Sequence, residues 1–265
     1  MLHNRLKVGA IIQARMSSTR LPGKVLKHIA GRPMLLQQYD RIKRCDNLEH
    51  IYVGTSTSCA DDVIARECEE NGINVRRGSL EDVLDRFYNI AKEERLDVVI
   101  RLTADCPLAD PLLLSEMIQQ FFASDVDYLS NCAPPTFPDG LDAEIMTFDA
   151  LKKAWELACL PSEREHVTPF IKNAENCFKL KNFEHHTDLS NFRWTVDEER
   201  DLRFVRKIYD ELFSDKPEFN WHDILDLLHR KPSLKNINSG IARNEGSLKS
   251  KIADHAFLKR FENEI

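Results

Sequence analysis

Val8-Gly9-Ala10-Ile11-Ile12-Gln13-Ala14-Arg15-Met16-Ser17-Ser18-Thr19-Arg20-Leu21-Pro22-Gly23-Lys24 is the stretch on which the reading of this chain turns. Its first part is apolar and predicts a buried strand over 8–13. Its second part is small, polar and basic, so the strand empties into a loop rich in hydrogen-bond donors. Arg15, Arg20 and Lys24 are cationic, while Ser17, Ser18, Thr19 and Gly23 let backbone N–H groups approach an anion closely. Such a loop either binds phosphate or is a plain exposed strand-to-helix turn. It is not a Walker A loop, because position 18 is Ser rather than Gly and position 25 is Val rather than Ser or Thr. Nor does it carry the glycine pattern of a dinucleotide site.

Outward from this loop, strand and helix patterns alternate. A helix is expected over 33–44, opened by Pro33, and a strand over 50–55. A helix over 60–70 ends at Asn71-Gly72, and a short strand follows over 74–77. Ser79-Leu80-Glu81-Asp82 reads as a capping box before a helix whose core stripe is Val83, Leu84, Phe87, Ile90 and Ala91. A buried strand over 97–102 precedes a helix over 111–122. Repeated β-α units predict an α/β fold with a doubly wound, mostly parallel sheet, whose ligands lie beyond the carboxyl ends of the strands.

The second half is less regular. Helices are expected over 149–158, 163–173, 198–213 and 221–229, with strands over 177–183 and 193–196. The main domain is expected over 1–231, with a peripheral tail over 232–265 ending in an amphipathic helix near 248–262.

Composition narrows the function. With 265 residues, 42% of them hydrophobic, the chain can build one large core. No apolar run approaches the ~20 residues of a membrane span, so no membrane role is expected. Arg5 and Lys7 precede only a short strand, which is not a signal-peptide pattern, and a cytoplasmic location is expected. The seven cysteines are odd in number and lack any C-x-x-C, so reduced thiols are expected rather than disulfides or zinc. A net charge of -6 argues against nucleic acid and for a small anionic ligand held locally by the basic loop.

Two carboxylates stand where such a ligand should lie. Asp105, in Arg101-Leu102-Thr103-Ala104-Asp105-Cys106-Pro107, follows a predicted strand directly. Asp197, in Arg193-Trp194-Thr195-Val196-Asp197, ends another. Each is either a ligand-facing acid or a helix or turn cap. Facing one basic loop, the pair would suit Mg²⁺, which takes one or two carboxylates together with phosphate oxygens and water.

Residues 14–24 match every fixed position of A-R-x-x-S-T-R-L-P-G-K, the loop of the CMP-Kdo synthetases among the sugar-activating cytidylyltransferases, and the chain resembles that family over roughly 8–213. Ala104-Asp105-Cys106-Pro107 is similar to the family's G-D-x-P element, and Val196-Asp197-Glu198-Glu199-Arg200-Asp201-Leu202 is loosely similar to its V-D-T-P-E-D-L element. The resemblance implies that Asp105 and Asp197 bind Mg²⁺. It departs at Thr103, where that family carries a base-reading Gln. Arg77-Gly78-Ser79, Pro138-Asp139-Gly140-Leu141-Asp142-Ala143-Glu144 and Glu165-His166-Val167-Thr168-Pro169 resemble the SpsF-like group of spore-coat polysaccharide biosynthesis, in which Thr103 is ordinary.

The resemblance implies transfer of CMP from CTP to a sugar, an acidic keto-sugar by analogy, with release of pyrophosphate. Arg15 and Lys24 are then the catalytic cations. Ala14, Ser18, Arg77 and Thr103 join them in binding the nucleotide. Asp142 and Glu144, in a turn-rich segment with three acids, either bind sugar hydroxyls or belong to a surface loop, and His166 either binds the sugar or is structural. A homodimer is implied, with the lobe near 130–185 completing the neighbour's pocket. Competing readings are a nucleotidyltransferase using another nucleoside triphosphate on a different sugar or sugar phosphate, and a non-catalytic nucleotide-binding homologue. A glycosyltransferase would show D-x-D; Asp125-Val126-Asp127 has that spacing but sits between a helix and a strand, where a turn explains it.

Overall fold

Side-chain alternation along β1 (Val8–Gln13) sets up the architecture: Ala10 and Ile12 enter one apolar cluster and Ile11 another, so the strand is covered on both faces. The computed structural model describes residues 6–241, 243 and 247–262. After β1 comes a small ribbon of β2 (His28–Ile29) and β3 (Arg32–Pro33). The main sheet continues with β4 (His50–Ser56), β5 (Val75–Gly78), β6 (Val98–Thr103), β7 (Tyr128–Ser130), β8 (Glu144–Thr147) and β9 (Leu180–Asn182). Its spatial order is β5-β4-β1-β6-β8-β7-β9. Among the described strands of this sheet only β8 runs against the rest, pairing antiparallel with both β6 and β7.

The helices are α1 (Met34–Ile42), α2 (Asp62–Glu70), α3 (Val83–Glu93), α4 (Pro111–Phe122), α5 (Phe148–Leu157), α6 (Pro161–His166), α7 (Pro169–Lys172), α8 (Glu199–Leu212), α9 (Trp221–Arg230) and α10 (Ser247–Glu262). Apolar stripes of α1, α2, α4, α8 and α9 pack on one face of the sheet, and those of α3, α5 and α7 on the other. The doubly wound, mostly parallel sheet expected from the sequence is therefore present. From β1 the chain moves outward to β4 and β5, then returns to place β6 on the other side of β1. The loops after β1 and β6 diverge at this reversal and leave a crevice.

Several local expectations are corrected. Asp82, not Ser79, caps α3, its Oδ1 accepting from Asp85 N at 2.8 Å, while Ser79 Oγ accepts from Asp82 N. The helix expected over 163–173 is broken at Val167, whose φ is 72°, into α6 and α7. Residues 193–196 form no strand; one isolated bridge, Asp139 to Arg193, is all the pairing there. The cause is Gly140, with φ 111°, where a Cβ would lie 2.5 Å from Thr195 N. This close approach lets Trp194 N and Thr195 N donate to Asp139 O, so 193–196 bonds to a turn instead of a strand. β8 lies where no strand is expected from the sequence; four residues, three of them buried, are too short to display a period.

No helix among the described residues is long and apolar enough to cross a membrane. All seven cysteines are free thiols.

Candidate active site

The loop after β1 is closed on itself. Met16 O accepts from Ser18 N at 2.9 Å and from Gly23 N at 3.1 Å, and Gly23 takes a left-handed φ of 66° to make the turn. Buried Asp61 holds the loop from below, accepting from Met16 N at 2.7 Å. Ser18 Oγ accepts from Leu21 N at 3.3 Å. The N–H groups of Ser18 and Gly23 are thus spent within the loop, which leaves its cationic side chains and its other N–H groups to meet an anion.

A cavity of about 770 Å³ opens over this loop, lined by Arg15, Ser18, Arg20, Lys24, Thr103 and His166 among others. It runs into a second, of about 430 Å³, whose wall includes Arg101, Asp139, Asp142, Glu144, Lys172 and Arg243. Arg20, Thr103, Asp105, His166 and Asp197 line both. An apolar cleft of about 730 Å³, between Leu6, His50, Ile118 and Phe122, lies at the amino ends of β1 and β4 and contains none of the expected site residues.

At the junction, Lys24 Nζ donates to Asp105 Oδ2 at 2.9 Å, to Asp197 Oδ1 at 2.9 Å and to Val196 O at 2.8 Å. Burial acts to lower the Lys24 ammonium, but the two carboxylates outweigh it and raise the group. Burial acts to raise Asp105; the Lys24 ammonium, with hydrogen bonds from Thr103 and Lys24, pulls it down to about 2. Asp197 Oδ2 also meets Arg193 at 2.9 Å and Arg20 at 3.0 Å. Neither aspartate caps the nearby helix. Asp110 caps α4, accepting from Leu112 N and Leu113 N, and Asp201 Oδ2 accepts from Asp197 N and Glu198 N at the start of α8.

The three acceptors of the ammonium are all oxygens, the donor type Mg²⁺ prefers. Among the described residues no group of three or more His, Cys, Asp or Glu forms a metal cage. The residues therefore fit a metal that completes its shell with ligand oxygens and water, and do not fit one held by protein alone.

The second cavity is charge-dense. Buried Glu144 accepts from Thr168 Oγ1 at 2.7 Å and Lys172 Nζ at 3.2 Å, and also from Arg101 and Tyr128. Burial opposes its ionisation, but Lys172 and Arg101 hold its carboxyl well below the usual range. Asp142 meets Arg243 Nη2 at 2.6 Å. Burial pushes Asp142 up to about 6, against the Arg243 guanidinium and with help from Asp139 and Glu144. His166 is lowered by burial, and Arg101, Lys172 and Arg15 push the same way against Glu165.

The structure thus brings Arg15, Ser18, Lys24, Thr103, Asp105, Asp142, Glu144, His166 and Asp197 to one crevice. Two expected residues present no side chain to it. Arg77 donates to Ser56 O at 2.8 Å and to Asp62 at 2.6 Å and lines neither cavity. Ala14 is buried, its N–H donating to Gly54 O. Asp125 and Asp127 bind Lys179 in the turn before β7, as a plain turn predicts.

A basic loop, an acidic pair and a polar second cavity at the switch point of a parallel sheet agree with the family comparison, in which a cytidylyltransferase model matches residues 9–236. The chain belongs to the cytidylyltransferase family. It is an enzyme of the nucleotidyltransferase type. It is 38% identical over 238 residues to an uncharacterised protein of Methanocaldococcus jannaschii, covering 89% of this chain and 96% of that one. It is 32% identical over 231 residues to the spore coat polysaccharide biosynthesis protein SpsF of Bacillus subtilis, covering 84% and 94%. The solved cytidylyltransferase from Leptospira borgpetersenii superposes with a TM-score of 0.84 at 33% identity, covering 90% of this chain and all of that one.

Sequence reading missed Arg101, Lys172, Arg193 and Arg243. Arg101 faced the site by simple alternation, being two residues before Thr103. Lys172 and Arg193 carried no such signal. Arg243 comes from the tail expected at the periphery, and reaches the cavity because buried Asn238 ties that tail to Arg193 O at 2.8 Å and Asp201 Oδ1 at 3.0 Å.

Proposed function

We propose that this cytidylyltransferase transfers CMP from CTP to a hydroxyl of a carboxylate-bearing keto-sugar, releasing pyrophosphate, in the making of a surface polysaccharide. The observation that carries the reading is the shared wall of the two cavities. Asp105, Asp197, Arg20, Thr103 and His166 border both, so a nucleotide over the basic loop and an acceptor in the second cavity would meet at the carboxylate pair. The family match supports CTP as donor, and the likeness to SpsF supports a polysaccharide pathway. An acidic acceptor would find cations in the second cavity at Arg101, Lys172 and Arg243, which there pair with Glu144, Asp139 and Asp142.

In the transfer, the acceptor oxygen bonds to the α-phosphorus as the bond to the departing pyrophosphate breaks. Arg15, Arg20 and Lys24 would neutralise phosphate charge, and positioning by the closed loop would hold the triphosphate in line. Asp105 and Asp197 would hold Mg²⁺, which supplies charge stabilisation and a more acidic attacking hydroxyl. Thr103 has a hydroxyl for one hydrogen bond to the base.

The deciding experiment is pyrophosphate release with Mg²⁺, offering CTP, UTP, GTP and ATP in turn against acidic and neutral sugars. Release with CTP and one acidic sugar is expected. Release only with another nucleotide overturns the base, and release only with a neutral sugar overturns the acceptor class.

A further inference from the structure

The ammonium of Lys24 cannot do two jobs at once. It has three N–H donors, and all three are taken by Asp105 Oδ2, Asp197 Oδ1 and Val196 O at 2.8–2.9 Å. Yet the residue lines the cavity over the basic loop, beside Arg15, Ser18 and Arg20. We propose that Lys24 is a placeholder cation: it closes the Asp105–Asp197 pair to divalent metal in the nucleotide-free protein, and moves to the phosphates when metal arrives with nucleotide. The inference rests on the reading of Asp105 and Asp197 as the metal pair.

Three features support the exchange. The two carboxylates border one site and repel each other, so the pair needs a cation between them in every state. With Lys24 in place, two carboxylate oxygens and one carbonyl oxygen surround a positive charge, which is the donor set of a hard metal ion. Asp197 Oδ2 is anchored by Arg193 and Arg20, so Oδ1 can change partner without releasing the side chain. A lysine that leaves the carboxylates finds its new partner in the triphosphate, so metal and nucleotide enter together and bare metal competes poorly.

The test is Mn²⁺ binding without nucleotide, followed by loss of the free-ion electron paramagnetic resonance signal. Lys24→Met is expected to bind Mn²⁺ at least tenfold more tightly than the unaltered protein. Lys24→Arg should stay at the unaltered level, and adding Asp105→Asn to Lys24→Met should remove the gain. An equal gain in Arg20→Met would make the effect one of general charge and overturn the placeholder role. Tight Mn²⁺ binding by the unaltered protein without nucleotide would overturn it too.

Should Lys24→Met fail to fold, the unaltered protein still decides. The Lys24 side-chain ¹⁵N resonance should be unmoved by Mg²⁺ alone and should shift with Mg²⁺ and CTP together; a shift with Mg²⁺ alone contradicts the proposal. The two readings separate in the presence of CTP. If Asp105→Asn leaves Mn²⁺ binding there unchanged, the metal pair itself falls. If it abolishes that binding while Lys24→Met shows no gain without nucleotide, only the exchange falls.

Discussion

The two walls of the crevice are built by opposite means. The phosphate wall is one continuous loop, 14–24, shaped by backbone bonds to Met16 O, a left-handed Gly23 and the prop of Asp61. The acceptor wall is assembled from β6, the 138–144 turn, β8, α7, residues 193–197 and the tail, and is joined by ion pairs among Arg101, Glu144, Lys172, Arg193, Asp139, Asp142 and Arg243. The first wall keeps its shape without its charges. In the second, the charged groups that face the acceptor are also the joints. Substitution of Arg15 or Ser18 in the first should change rate or binding at nearly constant stability, and substitution in the second, or of buried Lys24 where the walls meet, should change both.

The largest expected effect lies where the walls meet. Asp105→Asn should lower the rate of pyrophosphate release by on the order of 10²–10³, comparable to removing one transition-state contact. Asp197→Asn should match it in steady-state kinetics. Normal metal dependence in either variant would make that residue a purely structural partner of Lys24.

Next comes the acceptor wall. Glu144→Ala leaves Arg101 and Lys172 without their shared carboxylate, and breaking a buried pair costs about 3–5 kcal/mol. Denaturant unfolding would measure it, and a loss below about 1 kcal/mol would remove the distinction between the walls. Since Glu144's carboxyl is held low in the folded protein, its contribution is present above the ordinary Glu range and is lost as pH falls through the folded value.

A smaller effect is expected at Asp142, with the opposite sign. Its carboxyl is raised to about 6, so the folded state binds the proton more tightly than the unfolded chain. Its contribution is therefore fullest below about pH 4, the ordinary Asp value, and is lost as pH rises to about 6. Asp142→Asn should flatten the change in Tm across that interval. An unchanged slope would assign the titration to another group.

The smallest effect is expected at Arg77, outside both walls. Its ion pair with Asp62 is half-exposed, so Arg77→Ala should cost about 0–1 kcal/mol and leave CTP affinity unchanged by calorimetry. A tenfold loss of CTP affinity would return Arg77 to the nucleotide site.

The same contrast explains what could be read from the sequence. Buried parallel strands such as 8–13 and 98–103 announce themselves as apolar runs, and helices such as 111–122 by cap and stripe. Arg15 to Lys24 is legible because its functional side chains are neighbours in sequence. Asp105 was found because it follows such a strand. Arg243 was not, because its place depends on Asn238 docking against Arg193 and Asp201, and a contact between residues far apart in sequence leaves no local period. Arg77 misled in the reverse way: a basic residue at a strand's carboxyl end has the right position, but Asp62 and the carbonyls of Ser56 and Ser58 satisfy it first.

The break at Val167 has a geometric consequence. Along an unbroken helix, residues two apart point about 200° away from each other. His166 and Thr168 would then face opposite sides, one toward the cavity and one into solvent or core. The tight positive-φ turn at Val167, closed by Thr168 N donating to His166 O, puts both on the cavity wall and tucks the valine itself into the apolar cluster beneath. A β-branched residue in that conformation costs on the order of 1–3 kcal/mol. The chain thus trades regularity for aim, with conformational energy held in one residue keeping an imidazole and a hydroxyl trained on the same space.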